Sequence, residues 1–230
     1  LEIMPLNEYP CDESWGYQAT GFFSPTSRYG TADQLKAFVD ACHKHGIGVL
    51  MDFVPVHFAV DAYGLANYDG TALYEVKDPE MAVHPMWGTM LYNYDSPMVM
   101  DFLISNACFW LEVFHVDGLR MDDVDAMLYL DYGRNPGEWT PNIYGTNENL
   151  DALEFLKHLN SVIKERNPGL LLVAQENGLW PELTDSVEND HLGFDYKWSG
   201  GWTKDLLEYL SKDPIERKNY HDQLTMSMLY

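Results

Sequence analysis

The chain has 230 residues, of which 36 are acidic and 14 basic, and its formal net charge at pH 7 is -22. This charge argues against binding to nucleic acid or to anionic membrane surfaces, because both would repel the chain. A hydrophobic fraction of 46% allows a sizeable core and excludes a disordered chain, so the length predicts one large domain or part of one.

The first half of the chain alternates predicted strands and helices around long polar loops. An apolar strand at 1–6 is followed by a helix that begins at Thr31, with Gln34 as its capping-box partner. The continuous apolar run at 47–54 predicts a strand that is covered on both faces. Residues 58–97 lack periodicity and are predicted to be a long functional insertion.

The second half repeats this order of strand, loop and helix. After a predicted helix come a third strand, a loop, a further helix, a fourth strand, a weaker fifth strand and a mostly helical remainder. In chain order these segments are 98–114, 116–121, 131–146, 148–166, 170–174, 192–197 and from 202 onward.

Strands that alternate with helices predict a parallel α/β fold. No GxGxxG turn follows the first strand, which argues against a doubly wound sheet. We therefore predict a (β/α)8 TIM barrel, incomplete in this chain, because a whole barrel needs about 250 residues. Residues 1–230 are predicted to form part of one catalytic barrel domain, with about strands 2 to 6 and the 58–97 insertion after the third barrel strand.

Polar residues stand where the predicted strands end, which is where barrel enzymes place their active sites. The second strand leads to Asp52 and His57, the third to Arg120 and Asp122, and the fourth to Gln175. A carboxylate that faces a protonatable group across such a site is the equipment for cleaving a glycosidic bond. Alternation along the strand puts Arg120 and Asp122 on one face, where the guanidinium is expected to lower the pKa of Asp122.

Three of these strand ends resemble the first three signature regions of the α-amylase superfamily. Further segments, outside those regions, are similar to glycogen (1,4-α-glucan) branching enzymes. The superfamily-like segments are 52–57, 118–122 and 174–177, and the branching-enzyme-like segments are 13–26, 128–133, 137–142 and 194–198.

This resemblance implies a retaining transfer of an α-1,4-glucan segment, cut from glycogen or amylose-type chains, to a C6 hydroxyl, without a cofactor or metal. The product is an α-1,6 branch in glycogen biosynthesis. Asp122 takes the position of the nucleophile, and Arg120 orients it. Asp52 and His57 are implied to line the subsite of the sugar at the cleavage point, and Tyr17 to stack on that sugar.

The chain departs from the family pattern at the acid/base position, where Gln175 replaces Glu. An amide has no acidic proton to give to a leaving oxygen. The adjacent Glu176 is a substitute only if a bulge or a one-residue shift turns it into the site. Val56, Asp123 and Asp125 also depart from the pattern, which favours natural divergence over a single deliberate substitution at 175.

Two other functions remain open at this point. One is a catalytically impaired homologue that binds glucan without transferring it, and the other is an α-glucan hydrolase of the same superfamily.

The scattered Cys11, Cys42 and Cys108 have no disulfide or zinc spacing, so we expect a reducing, cytoplasmic location. No apolar run has the roughly 18 residues that a membrane span needs.

Overall fold

The computed structural model describes residues 1–178, 180–181 and 183–225. Within these ranges the strands, in chain order, are β1 (Glu2–Ile3), β2 (Asn7–Glu8), β3 (Gly21–Pro25), β4 (Leu50–Phe53), β5 (His57–Phe58), β6 (Met90–Leu91), β7 (Gly118–Met121), β8 (Leu171–Gln175) and β9 (Tyr196–Trp198). The α-helices of the same ranges are α1 (Ala32–Lys44), α2 (Pro79–Ala82), α3 (Pro97–Val113), α4 (Val124–Leu128), α5 (Leu150–Arg166), α6 (Gly200–Ser211) and α7 (Asp222–Thr225).

One parallel sheet organises the fold, with the strand order β1-β4-β7-β8-β9. The neighbours in this sheet follow chain order, and the helices α1, α3 and α5 lie in sequence between successive strands. This sequential order of parallel strands and helices is the arrangement of a (β/α)8 barrel. The predicted fold class, an incomplete barrel, is confirmed.

The two faces of the sheet have opposite chemistry because side chains alternate along each strand. On the face covered by helices, Met51 and Phe53 of β4 pair in register with Leu119 and Met121 of β7, and all four side chains are buried. The other face carries polar side chains, among them Arg120, whose register partner on β4 is Asp52. The fold therefore directs the charged strand positions into the barrel interior.

Most predicted helices and strands are confirmed, and their observed boundaries differ from the predicted ones by a few residues. Helix α1 has the expected capping box, since Thr31 accepts a hydrogen bond from the Gln34 backbone and the Gln34 side chain accepts one from Thr31. The first strand is only Glu2–Ile3, and the weak fifth strand lies at Tyr196–Trp198 rather than at 192–197.

Two segments hold more structure than the sequence predicts. The 58–97 segment contains α2 and one strand of a small antiparallel pair, in which His57 lies opposite Leu91. Helix α4, directly after β7, was not predicted because it has only five residues. Of the predicted helical remainder, residues 226–230 lie outside the described residues. In the described part of the chain, no helix is long and apolar enough to span a membrane.

Candidate active site

Arg120 is the centre of the polar cluster inside the barrel. Its Nη1 donates to Asp52 Oδ2 at 2.9 Å and to Asp122 Oδ1 at 2.6 Å, and its Nη2 donates to Gln175 Oε1 at 2.6 Å. The guanidinium also lies over the Trp198 ring, 4.7 Å from the centroid. One buried cation thus joins side chains from β4, from the residue after β7 and from the end of β8, as the planar fork of arginine allows.

Asp122 is held at the end of β7 by its backbone as well as its side chain. Its N–H donates to the Phe53 carbonyl at 3.0 Å, which continues the β4–β7 pairing by one residue. Burial raises the pKa of Asp122 to about 6; Arg120 lowers the pKa, whereas Asp123 and Asp52 raise it further. Arg120 therefore lowers the pKa of this carboxyl as expected, but desolvation and neighbouring negative charge outweigh the guanidinium, so the net pKa is raised rather than low.

This raised pKa predicts how Asp122→Asn changes stability with pH. The folded-state pKa of Asp122, about 6, exceeds the ordinary value of an aspartate carboxyl, 3.8. The carboxyl therefore favours folding most at low pH, and this contribution is lost as pH rises through 6. We expect the asparagine variant to gain about 2 kcal/mol of unfolding free energy relative to the original protein between pH 4.5 and pH 7.5.

Urea unfolding of both proteins at the two pH values measures this difference. Burial lowers the pKa of His57 to about 4, which gives the protein an opposite pH dependence. That contribution is the same in both proteins and cancels in their difference. A difference that does not change with pH would contradict the raised pKa of Asp122.

Tyr17 and His57 complete the wall beside Asp52. The Tyr17 hydroxyl donates to Asp52 Oδ2 at 2.5 Å, so its phenol ring is fixed at the cavity edge. His57 is buried, lines the same cavity and has no hydrogen-bond partner for Nδ1 among the described residues. Its lowered pKa makes it a neutral imidazole at pH 7. Asp52 itself is 3% exposed and acts on the cavity through Arg120 and Tyr17.

Glu176 does not line this cavity. It is completely buried, with its Oε2 2.5 Å from Lys197 Nζ, and Lys197 also donates to the Gly178 carbonyl at 2.8 Å. The sequence predicts that the side chains of neighbouring residues on this strand point to opposite faces. Gln175, which lines the cavity, and Glu176, which does not, are placed in this way. A carboxyl in this position has no route to a bound ligand in the cavity.

Asp125 fixes the chain that follows Gln175. Its carboxylate accepts the Asn177 backbone N–H at 3.0 Å and the Asn177 side-chain amide at 2.9 Å. Burial raises the pKa of Asp125 to about 6; the N–H of Asn177 lowers the pKa, and the Glu176 carboxyl raises it. This carboxylate, one of the departures from the family pattern, thereby holds the end of β8 against α4.

Asp123, noted in the sequence only as a departure from the family pattern, contacts two residues that the sequence did not single out, His84 and Tyr132. Asp123 accepts hydrogen bonds from the Tyr132 hydroxyl at 2.9 Å and from His84 Nε2 at 3.1 Å. The Met86 backbone N–H donates to His84 Nδ1, so Nε2 is the ring nitrogen that donates to Asp123. His84 and Tyr132 come from the segments at 58–97 and 131–146. These segments have no periodic pattern from which the inward direction of a side chain could be predicted.

Glu2 is a further residue that the sequence did not single out. Its Oε1 lies 4.0 Å from Arg120 Nε, whereas Asp122 and Gln175 accept hydrogen bonds from the two Nη atoms. Burial raises the pKa of Glu2 to about 6, and the neighbouring Asp52 carboxyl raises it further. In the sequence, only the alternation of side chains along β1 could have indicated that Glu2 lies on the same side of the sheet as Arg120.

These side chains surround a cavity of about 540 Å³. Asp122, Gln175, His57 and Tyr17 line it, while Arg120, Asp52 and Glu2 lie behind them. Trp15 and Trp87 at its mouth are 65% and 56% exposed. Among the described residues, no group of three His, Cys, Asp or Glu side chains is arranged to hold a metal ion. The cavity suits a neutral ligand with apolar faces and many hydroxyl groups.

Comparisons with known proteins agree with this chemistry. Residues 3–70 match the family described as alpha amylase, catalytic domain. Over all 230 residues the chain is 54%, 53% and 53% identical to the 1,4-alpha-glucan branching enzymes GlgB of Methylococcus capsulatus, Nitrosococcus oceani and Marinobacter nauticus. It covers 31%, 31% and 36% of them, so the chain spans about a third of the length of these curated relatives.

A solved structure is similar in fold. It is an α-amylase from Geobacillus thermoleovorans in complex with acarbose, and it aligns with a TM-score of 0.65 at 19% sequence identity. The alignment covers 89% of this chain and 42% of the amylase. At this identity the likeness supports the barrel arrangement of the sheet and nothing finer.

Proposed function

We propose that the protein acts on α-1,4-glucan, because residues 3–70 match the alpha amylase catalytic domain and the whole chain is similar to 1,4-alpha-glucan branching enzymes. It transfers a cut segment to a C6 hydroxyl of a glucan and so makes an α-1,6 branch. The observation that carries the proposal is that Asp122 and residue 175 line one cavity and are joined by a single guanidinium, that of Arg120.

In the first step the Asp122 carboxylate attacks C1 of a glucose unit, and the bond from C1 to the glycosidic oxygen breaks. Arg120 holds the carboxylate by Nη1, which orients one oxygen and leaves the other for attack. Tyr17 and the neutral His57 pack beside the sugar. The leaving oxygen needs a proton, and the group at position 175 would have to supply it.

In the second step the C6 hydroxyl of an acceptor glucan attacks the same C1, Asp122 leaves, and the hydroxyl proton passes to a base. Gln175 supplies neither the acid nor the base. Its Oε1 also accepts from Arg120, which directs the amide nitrogen, a hydrogen-bond donor, away from that guanidinium. The protein therefore binds glucan and places it for attack, while both proton transfers are slow.

A second candidate, a glucan-binding protein without transfer activity, is favoured by this same amide. The neutral Gln175 fits a site that retains its walls and its nucleophile but has no proton donor. A hydrolase of the superfamily is the third reading, and the linkage of the products separates it from a branching enzyme.

We also propose a cytoplasmic location. Cys11, Cys42 and Cys108 are all free thiols in the structure, and a reducing compartment keeps thiols in that state.

The proposed role of Asp122 is tested with a donor that needs no acid. In α-maltosyl fluoride the C1–F bond breaks without protonation of the leaving group, and a bond from C1 to Asp122 forms as fluoride departs. We expect mass spectrometry to detect a maltosyl adduct on the peptide that contains Asp122. It accumulates because Gln175 gives no base for the second step.

Asp122→Asn is the control and should remain unmodified. Binding of maltose without any adduct in the original protein would favour the glucan-binding candidate. Absence of both binding and adduct would overturn the proposed function.

A further inference from the structure

A second cavity lies behind one wall of the first. Its volume is about 300 Å³, and Tyr132 lines both cavities. His84 faces the second cavity, whereas Asp123 faces the first, and Asp123 accepts hydrogen bonds from both His84 and Tyr132. These three side chains therefore form a common wall, and a continuous ligand in one cavity has to go round it to reach the other.

Tyrosine rings form much of the lining of the second cavity, and the hydrogen-bond donors of its arginine are used by backbone carbonyls. Tyr92, Tyr94, Tyr129 and Tyr132 contribute to its walls. The Arg134 guanidinium, which also lines it, donates to the backbone carbonyls of Glu80, Met81 and Val83. Asp78, at its edge, accepts the Glu80 N–H and caps α2. With its cation used in this way, the cavity disfavours phosphates and other anions.

Polar groups of the kind that bind hydroxyls stand beside these rings. Thr140 and Asn149 line the cavity with a hydroxyl and an amide. Flat apolar rings combined with a few neutral donors and acceptors suit a sugar, whose ring has apolar faces and a rim of hydroxyls. The volume is at the lower end of the range for small-molecule sites, which suits one sugar unit better than a long chain.

We propose that this second cavity holds a glucose unit of a second α-glucan chain, next to the chain in the first cavity. The inference rests on the proposed function, since branch formation needs a donor and an acceptor segment at the same time. The wall formed by His84, Asp123 and Tyr132 keeps the two segments apart, and Asp123 directly follows the nucleophile Asp122 in the chain.

Maltose binding to the full-length protein, measured by calorimetry, tests this inference. Ala126 lines the second cavity from α4, and Ala126→Phe fills the space. Thr140→Trp fills it from an exposed loop position, where a large side chain leaves the core intact. We expect each variant to bind one maltose fewer per chain than the original protein, with at least a tenfold loss of affinity at the missing site.

Gln18 lines the first cavity alone, and Gln18→Trp is the matched control. It should remove a different maltose, so that the Gln18→Trp and Thr140→Trp changes together lose two. Unchanged stoichiometry in both Ala126→Phe and Thr140→Trp, with a loss in Gln18→Trp, would overturn the second site and leave the proposed function standing. Unchanged stoichiometry in all three variants would count against the proposed function itself.

Discussion

Replacing Gln175 by Glu is expected to raise glucan transfer about 10²–10⁴-fold, the contribution that a general acid typically makes. The new carboxyl would stand in the same cavity as Asp122, with Arg120 between them. It would also approach the negative charges of Asp122 and Asp123, and like charges nearby raise the pKa of a carboxylic acid. The contact with Arg120 opposes this rise, and the acid form of the carboxyl gives its proton to the leaving oxygen.

Iodine staining of amylose together with linkage analysis of the products measures this gain. New α-1,6 linkages identify a branching enzyme, whereas new reducing ends without branches identify a hydrolase. Gln175→Met is the matched control, because it retains the length of the side chain and also lacks a proton donor. No gain in the glutamate variant would place the defect elsewhere in the site and favour the glucan-binding candidate.

The parts of the fold that the sequence predicts best are those in which a local pattern and the tertiary packing agree. Helix α1 has both an apolar stripe and the Thr31–Gln34 capping box, and its start was predicted correctly. The strands β4, β7 and β8 are apolar except at the positions whose side chains enter the barrel interior. Those exceptions, Asp52, Arg120 and Gln175, belong to the candidate site.

The contacts that no pattern predicts come from segments without periodicity. His84 and Tyr132 reach Asp123 from two different loops, 39 and 9 residues away in the chain. Neither loop has a repeat that would show which side chain turns inward. The net pKa of Asp122 could not be predicted from the sequence for a related reason. The nearby Arg120, which lowers this pKa, can be read from the sequence, but the burial that raises it by more depends on the whole fold.

Arg120→Met is expected to lower the unfolding free energy by about 3–5 kcal/mol. The change removes the donor to Asp52, Asp122 and Gln175 and the stacking on Trp198. Methionine fills part of the space but leaves two buried carboxyl groups without their cation. An uncompensated buried charge costs far more than the net contribution of the ion pair, which explains the size of the expected loss.

Urea unfolding at two pH values separates this electrostatic loss from a packing defect. Because Asp122 takes up a proton near pH 6, the penalty should be smaller at pH 5 than at pH 8. Adding Asp52→Asn and Asp122→Asn to Arg120→Met removes both charges, and this triple variant should recover a large part of the lost stability. A loss of equal size at both pH values, with no recovery in the triple variant, would show that Arg120 stabilises the barrel by packing rather than by holding these carboxylates.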